Sequence, residues 1–438
     1  MDTTSRRTAE RRDAEDPLRR LRGQFFWPAG AKIQLDGNSL GLASHLVERS
    51  LARHFKLWAG RGVEAWDVWH GLAEKLAGRM SVLVGAEQQP ESVILMDSTT
   101  VILHQMLVTL HAPLLRGPRG KRVRRRKILI DAGAFPTDRY AIQSYLLSQG
   151  LDPKTDLVEV SRDPKTRLLD EDAIIARMTD DIALVIMPGV VFDTGQLLEM
   201  DRVTDEARDR EILIGWDLCH SVGAVPHHLI RWGCDFAFWC DYKYLNGGPG
   251  AVAGLFVNKR HHDKMPGMAG WWGSAKQSQF DMTHDLVPAS GAGRFQIGTP
   301  HILSLASLEG ALTLFERAGM MELRAKSLAL TGYLIELIDA RLDKFGATIV
   351  TPRENGSRGG HVAVALPVPR YTSDDVVRVS NCLRRRGVVG DRRQPDIIRL
   401  APVPLYTRFV DCYDAVEIFE KILGSKAWRA GKLGSAVT

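Results

Sequence analysis

Lys243 stands in the segment Asp241-Tyr242-Lys243-Tyr244-Leu245-Asn246-Gly247-Gly248-Pro249-Gly250, directly after the apolar run Phe236–Cys240. A lysine among apolar and aromatic neighbours loses hydration of its ammonium, so its pKa is expected to fall and the amine becomes a usable nucleophile. The plainer reading is a surface lysine in a glycine-rich turn. Asp217, in Asp217-Leu218-Cys219-His220, leaves another apolar run, ILIGW. A carboxylate there is costly to bury without a cationic partner. His220 can reach the same side, the alternative being a capping Asp beside a satisfied core histidine. Asp97-Ser98-Thr99-Thr100 follows ESVILM and opens a helix; its hydroxyls and free N–H groups suit a phosphate and equally suit a plain N-cap. Phe135-Pro136-Thr137-Asp138, after KILIDAGA, puts an aromatic ring where it can stack on a planar ligand or join the core. Arg399, within IIRLAPVPLY, offers a planar fork suited to a carboxylate, or a surface ion pair.

Four of these five places follow short β-branched runs that alternate with amphipathic stretches, the pattern of βα units around a buried sheet. Ligands of such sheets sit at the C-terminal strand ends. The expected strands are Ser92–Leu95, Lys127–Ile130, Leu157–Val160, Ile182–Met187, Ile212–Trp216, Phe236–Trp239 and Val252–Val257. Helices are expected over Thr100–His111, Thr137–Ser148, Asp170–Met178 and Asp201–Arg210. After His301 the pattern changes. A long helical region, Leu303–Phe345, breaks near Gly319. Short strands (Thr348–Val350, His361–Ala365, Ile397–Leu400) and helices (Ser373–Arg386, Asp411–Leu423) follow. The domains are therefore expected as an N-terminal arm with helices Leu51–Trp58 and Trp69–Val84 (1–86), a large α/β domain (87–318) and a small α+β domain (319–438).

Composition narrows the function classes. With 438 residues, 45% hydrophobic and 25% charged, the chain reads as an ordinary globular protein rather than a coiled coil or a disordered chain. The net +6 arises from one run, Arg116 to Lys127, which holds eight basic residues and no acid; without it the chain carries −2. A solvated loop accounts for that run better than a nucleic-acid face, which spreads its charge around a reading motif. No stretch is long and apolar enough for a membrane span. The first residues lack the apolar core of a secretory signal, and the first twenty read as low-complexity. Five cysteines without CxxC spacing suggest reduced thiols, a cytoplasmic location and no structural metal. Absence of GxGxxG and GxxxxGK[ST] weakens dinucleotide and nucleotide-triphosphate readings.

An Asp at one strand end and a Lys at the next is how pyridoxal phosphate is held in the aminotransferase-like fold. The wider set of motifs resembles the kynureninase family over nearly the whole chain. They are LDGNSLG (Leu35–Gly41), FPTD (Phe135–Asp138), the Thr194-Gly195 pair, DLCHSVGAVP (Asp217–Pro226), YKYLNGGPG (Tyr242–Gly250), GWWG (Gly270–Gly273), RFQIGTP (Arg294–Pro300) and RLAPVPLY (Arg399–Tyr406). The resemblance implies a fold type I α/β enzyme of the class V group. It would cleave the Cβ–Cγ bond of L-kynurenine or a ring-substituted relative to an anthranilate and L-alanine. Lys243 would form the Schiff base and move the Cα proton. Asp217 would pair with the pyridinium nitrogen, Phe135 would stack on the ring, and His220 and Asp138 would line the cofactor. Thr99, Thr100 and Tyr242 would hold the phosphate, joined by Trp271 and Thr299 from the other protomer of a homodimer. Tyr242 would also protonate Cβ, and Arg399 would clamp the substrate carboxylate.

Five positions depart from the family pattern: Ile102 for Asn, Pro188 for Ser or Thr, Asp241 for a small residue, Ser274 for His and His301 for Pro. Ser274 and Pro188 fall on the substrate side, which makes a substituted kynurenine of secondary metabolism a live substrate. The Gly298-Thr299 pair looks like the bacterial, kynurenine-preferring form. Two other readings stand beside this one. The first is another class V reaction such as β-elimination or desulfuration, against which Cys219, Cys234 and Cys240 read as core residues. The second is a non-catalytic binding protein that uses the basic run.

Overall fold

The computed structural model describes residues 3–112 and 125–430. Most of the basic run lies outside the described residues. Of its end, Arg125 donates to the Arg210 and Glu211 carbonyls, Arg126 pairs with Asp156 at 2.7 Å, and Lys127 pairs with Asp181 at 2.6 Å.

The short strand β1 (Ile33–Gln34) precedes a central sheet of seven: β2 (Val93–Met96), β3 (Lys127–Asp131), β4 (Leu157–Val160), β5 (Ile182–Pro188), β6 (Leu213–Asp217), β7 (Phe236–Cys240) and β8 (Ala253–Val257). Their order is β2-β8-β7-β6-β5-β3-β4, and β8 alone runs against its neighbours. β2, β7 and β8 are buried along their whole length. Helices on both faces supply the cover that such apolar runs require. This is the mostly parallel α/β architecture expected. A second, antiparallel sheet contains β9 (Thr348–Ile349), β10 (Val362–Ala365), β12 (Asp391–Arg393) and β13 (Ile397–Leu400), while β11 (Val388–Val389) pairs with β1. The helical region joining the two sheets breaks at Gly319, whose φ of 76° suits glycine, between helices Ile302–Ala318 and Met320–Leu342.

The N-terminal segment departs from expectation. Residues taken as low-complexity form the helix Arg6–Glu15, which packs on the helix Phe409–Ser425. Arg12 lies 4.7 Å from the Tyr333 ring, and Asp13 accepts the amide hydrogens of Phe409 and Val410 at 2.6 and 3.1 Å. A carboxylate at those free N–H groups caps the later helix and opposes its dipole. The helix Arg6–Glu15 thus packs with the C-terminal part of the molecule, and a charge-rich sequence hides this because its anchoring contacts are tertiary. LDGNSLG continues from β1 to the active lysine. The Gly41 amide donates to the Tyr242 carbonyl at 2.9 Å, and a Cβ at Gly41 would come within 2.4 Å of the Lys243 carbonyl oxygen.

Just after β7, Asp241 is fully buried and neither carboxylate oxygen has a hydrogen-bond partner among the described residues. Burial raises its pKa well above the ordinary carboxylate range; the Cys240 charge adds to this, and the nearby Trp239 indole offsets it only in part. A group with a raised native pKa favours the fold below its unfolded pKa and loses that contribution as pH climbs. Asp241→Ala should therefore raise stability by about 1–3 kcal/mol at pH 8, with a smaller gain at pH 5. Thermal unfolding across that range measures this, and a gain independent of pH would contradict it.

Candidate active site

At the C-terminal edge of the central sheet a cavity of about 230 Å³ opens between β5, β6, β7 and the starts of two helices. Thr99, Thr100, Phe135, Asp138, Asp217, His220, Tyr242 and Lys243 all line it. Each arrives by simple topology. Asp217 ends β6, Lys243 follows the end of the parallel neighbour β7, and the register Asp217↔Phe238 sets the two strand ends side by side. Ser98 caps the helix Thr99–Met106, and Pro136 opens the helix Pro136–Ser148.

Lys243 donates to His220 Nε2 at 3.0 Å. Burial, reinforced by the positive charges of Lys243, Arg399 and Arg393, pushes the His220 pKa well down. The ring is therefore neutral and carries its hydrogen on Nδ1, a buried atom with no acceptor among the described residues. For Lys243 the expectation needs correction. Burial does press its pKa down, but the negative charges of Cys240 and Asp217 oppose it and leave the ammonium above its ordinary value. In this cavity the lysine waits protonated, and a ligand cation paired with Asp217 would withdraw part of that restraint.

Asp138 adds a second carboxyl. Burial, then the charge and hydrogen bond of Asp217, raises its pKa well above the usual range. Asp138 therefore keeps its proton beside Asp217 beyond the ordinary carboxylate range. Asp217 also accepts the Cys219 amide at 2.8 Å, which fixes its orientation. Phe135 is 42% exposed at the cavity wall, with its ring 5.8 Å from Lys243 Nζ. An uncovered aromatic face in a cavity is a stacking surface, not a core residue. Cys219, read from the sequence as core, is half-buried and lines the cavity.

The set fits pyridoxal phosphate. The helix start at Thr99 offers amides and hydroxyls to a phosphate, Asp217 offers an anion to a ring nitrogen, Phe135 offers a face, and the orphaned His220 Nδ1–H marks an acceptor supplied by a ligand.

Three expected residues lie elsewhere. Arg399 is wholly buried beyond the cavity, cross-strand from Asp391. Its Nε donates to Asp391 Oδ1 at 2.6 Å, Nη2 to the other Asp391 oxygen and Nη1 to the Phe192 carbonyl. With its amide oxygen turned inward, Asn38 accepts from Nη2 and Nε at 3.1 and 3.2 Å. Trp271 and Thr299 line a separate apolar groove with Val63, Trp66, Trp272 and Phe280. Of the departures, Pro188 lies in the cavity wall, Ile102 is core, Ser274 donates to the Trp271 carbonyl, and His301 lines a further groove with Trp58 and Val63. Sequence reasoning missed Phe192 and Asp391. The acid two residues before Arg393 in a strand-forming DRR was the available signal for Asp391.

The family model for the kynureninase C-terminal domain matches residues 323–419. A kynureninase of Geobacillus thermodenitrificans is 46% identical over 426 residues, covering 96% of this chain and 95% of that protein. One from Shouchella clausii is 44% identical over 428 residues, covering 97% and 96%. Among solved structures, C-DES with glycine covalently linked to its PLP cofactor superposes with a TM-score of 0.76 at 16% identity, over 91% of this chain and 98% of that one. The cysteine desulfurase CsdA of Escherichia coli gives 0.74 at 16% identity, over 93% and 98%. These two similarities show the fold.

The carboxyl pair generates a prediction. Asp138→Asn keeps a hydrogen-bond donor toward Asp217 and should leave cofactor affinity within about threefold, whereas Asp138→Leu should weaken it roughly tenfold or more. Titration of the apoprotein with pyridoxal phosphate, followed by absorbance, checks this. Equal losses in both variants would contradict the shared-proton arrangement.

Proposed function

The chain belongs to the kynureninase family, and from that premise we propose that it hydrolyses the Cβ–Cγ bond of L-kynurenine or a ring-substituted relative. The products are an anthranilate and L-alanine. It is a pyridoxal-phosphate-dependent hydrolase acting on a carbon–carbon bond. The observation that carries the reading is the convergence of Lys243, Asp217, His220, Phe135 and the Thr99-Thr100 helix start on one cavity.

When bound, pyridoxal phosphate supplies an electron sink for negative charge developing on the substrate carbons beside the amino group. Lys243 would hold the cofactor, then take the Cα proton as a base and return it to Cα before L-alanine leaves. Thr99, Thr100 and Tyr242 hold the phosphate, Asp217 holds the ring nitrogen with Asp138 behind it, Phe135 covers one face of the ring, and His220 lines the site. Arg399 anchors the substrate carboxylate. Water adds to the γ-carbonyl carbon, the Cβ–Cγ bond breaks, and the γ-carbon leaves as the carboxyl of the anthranilate. The electron pair left on Cβ takes a proton from Tyr242. Burial, with Cys240 and Cys219 beside it, pushes the Tyr242 pKa up, so the phenol retains that proton until it is drawn off. At Pro188 the cavity wall offers no side-chain hydroxyl to the substrate.

We read the apolar groove at Trp271 and Thr299 as the face covered by a second copy, so that the partner subunit's Trp271 and Thr299 complete the phosphate end of the site. Exposed Trp58, Val63, Trp271 and Phe280 make such a face costly to leave in water. Among the described residues no helix is long and apolar enough to cross a membrane. All five cysteines are free, in keeping with a cytoplasmic enzyme.

Incubation with kynurenine, 3-hydroxykynurenine and a methylated analogue should release the matching anthranilate with alanine from at least one of them. Lys243→Ala should abolish both this release and the cofactor's bound absorbance band. Turnover retained in that variant would contradict the assignment. Shared sites make a second test. Mixing inactive Lys243→Ala with an inactive Thr299 variant should restore about a quarter of wild-type activity through mixed dimers, and no recovery would contradict sharing.

A further inference from the structure

Arg399 by itself makes a poor anion site. It and Asp391 form a fully buried, cross-strand ion pair whose charges cancel, and the Phe192 carbonyl occupies a further guanidinium hydrogen. Asp36 lies close by, half-buried, its buried Oδ1 unpartnered among the described residues; burial and Asp391 push its pKa up to about 6. Arg399, Asp391 and Asp36 together therefore sum to zero or to −1, depending on the Asp36 proton. Neither value attracts a carboxylate.

Arg393 changes that count. Two residues beyond Asp391 on β12, it projects to the same face of the strand. Its Nη2 lies 3.1 Å from Asp391 Oδ2, and its Nη1 donates to the Arg392 carbonyl at 2.8 Å. The Arg393 and Arg399 guanidinium carbons both stand 6.0 Å from the ring centre of Phe192. Phe192 lines the cavity, its ring 5.5 Å from that of Phe135 and 6.3 Å from that of His220. The Arg393 side chain keeps 24% of its surface exposed where that of Arg399 keeps none. One arginine is locked in the wall. The other, sharing the same carboxylate, reaches toward solvent.

We propose that Arg393 is a second guanidinium of the substrate α-carboxylate site, supplying the net positive charge that the Arg399–Asp391 pair lacks. The inference rests on Arg399 being the carboxylate anchor in the proposed function. It assigns the anchoring geometry to Arg399 and the attraction, with entry from solvent, to Arg393.

The test compares two ligands that differ only in the charged group. Calorimetry of the holoenzyme with L-alanine and with L-alaninamide separates a carboxylate contact from a general loss of structure. R393Q should raise the Kd for alanine roughly tenfold or more, leave that for alaninamide within about twofold, and R393K should recover part of the loss. Unchanged alanine affinity in R393Q, or equal losses for the two ligands, overturns the inference; R393K gives the same comparison if R393Q folds poorly. The underlying reading is checked separately on the wild type. A wild type that releases anthranilate while R393Q binds alanine normally overturns the inference alone, whereas a wild type that neither releases anthranilate nor binds alanine overturns both.

Discussion

A single shared proton between Asp138 and Asp217 governs the chemistry of the cavity. Burial and the neighbouring Asp217 keep Asp138 protonated, and the Asp217 charge faces Lys243. That charge, with Cys240, keeps the lysine an ammonium despite its burial. The ammonium in turn keeps His220 neutral and orients it through the 3.0 Å contact at Nε2. Each state depends on the one before it. The parallel ends of β6 and β7, closed by the LDGNSLG loop against the Lys243 backbone, bring the groups within reach of one another.

The small antiparallel sheet applies the same logic with opposite sign. There Asp391 sits between two guanidiniums, which hold its carboxyl below the ordinary range although burial alone would raise it. In the proposed function the ring nitrogen would meet Asp217 and the substrate carboxylate would meet Arg399 with Arg393. His361, neutral because burial pushes its pKa down to about 3, stands between them, its ring 5.8 Å from that of His220. Neutral imidazoles in the middle leave the charges of the ligand to be met at the ends.

Much of this was readable from the sequence for a physical reason. Strands covered on both faces must be apolar throughout, so a charged or aromatic residue at their ends stands out. Asp217, Phe135 and Lys243 were found this way, and the seven strands of the central sheet fell close to their observed limits. What was missed depends on partners distant in the chain. The helix Arg6–Glu15 has little apolar surface and exists because Asp13 caps a helix near the other terminus. The Lys243 pKa was expected to fall because an apolar setting was visible, while the Asp217 carboxylate opposing it comes from the end of the neighbouring strand. Arg399 was recognised, yet the strand pairing that gives it Asp391 is invisible until the hairpin is formed.

The shared proton can be observed directly. Infrared difference spectroscopy of the apoprotein at neutral pH, wild type against Asp138→Asn, reports protonated carboxyl groups through their C=O stretch. The account predicts a protonated-carboxyl band in the wild type that Asp138→Asn removes. Identical spectra in that region would mean that both carboxyls are ionised, and the electrostatic order of the site described here would not hold.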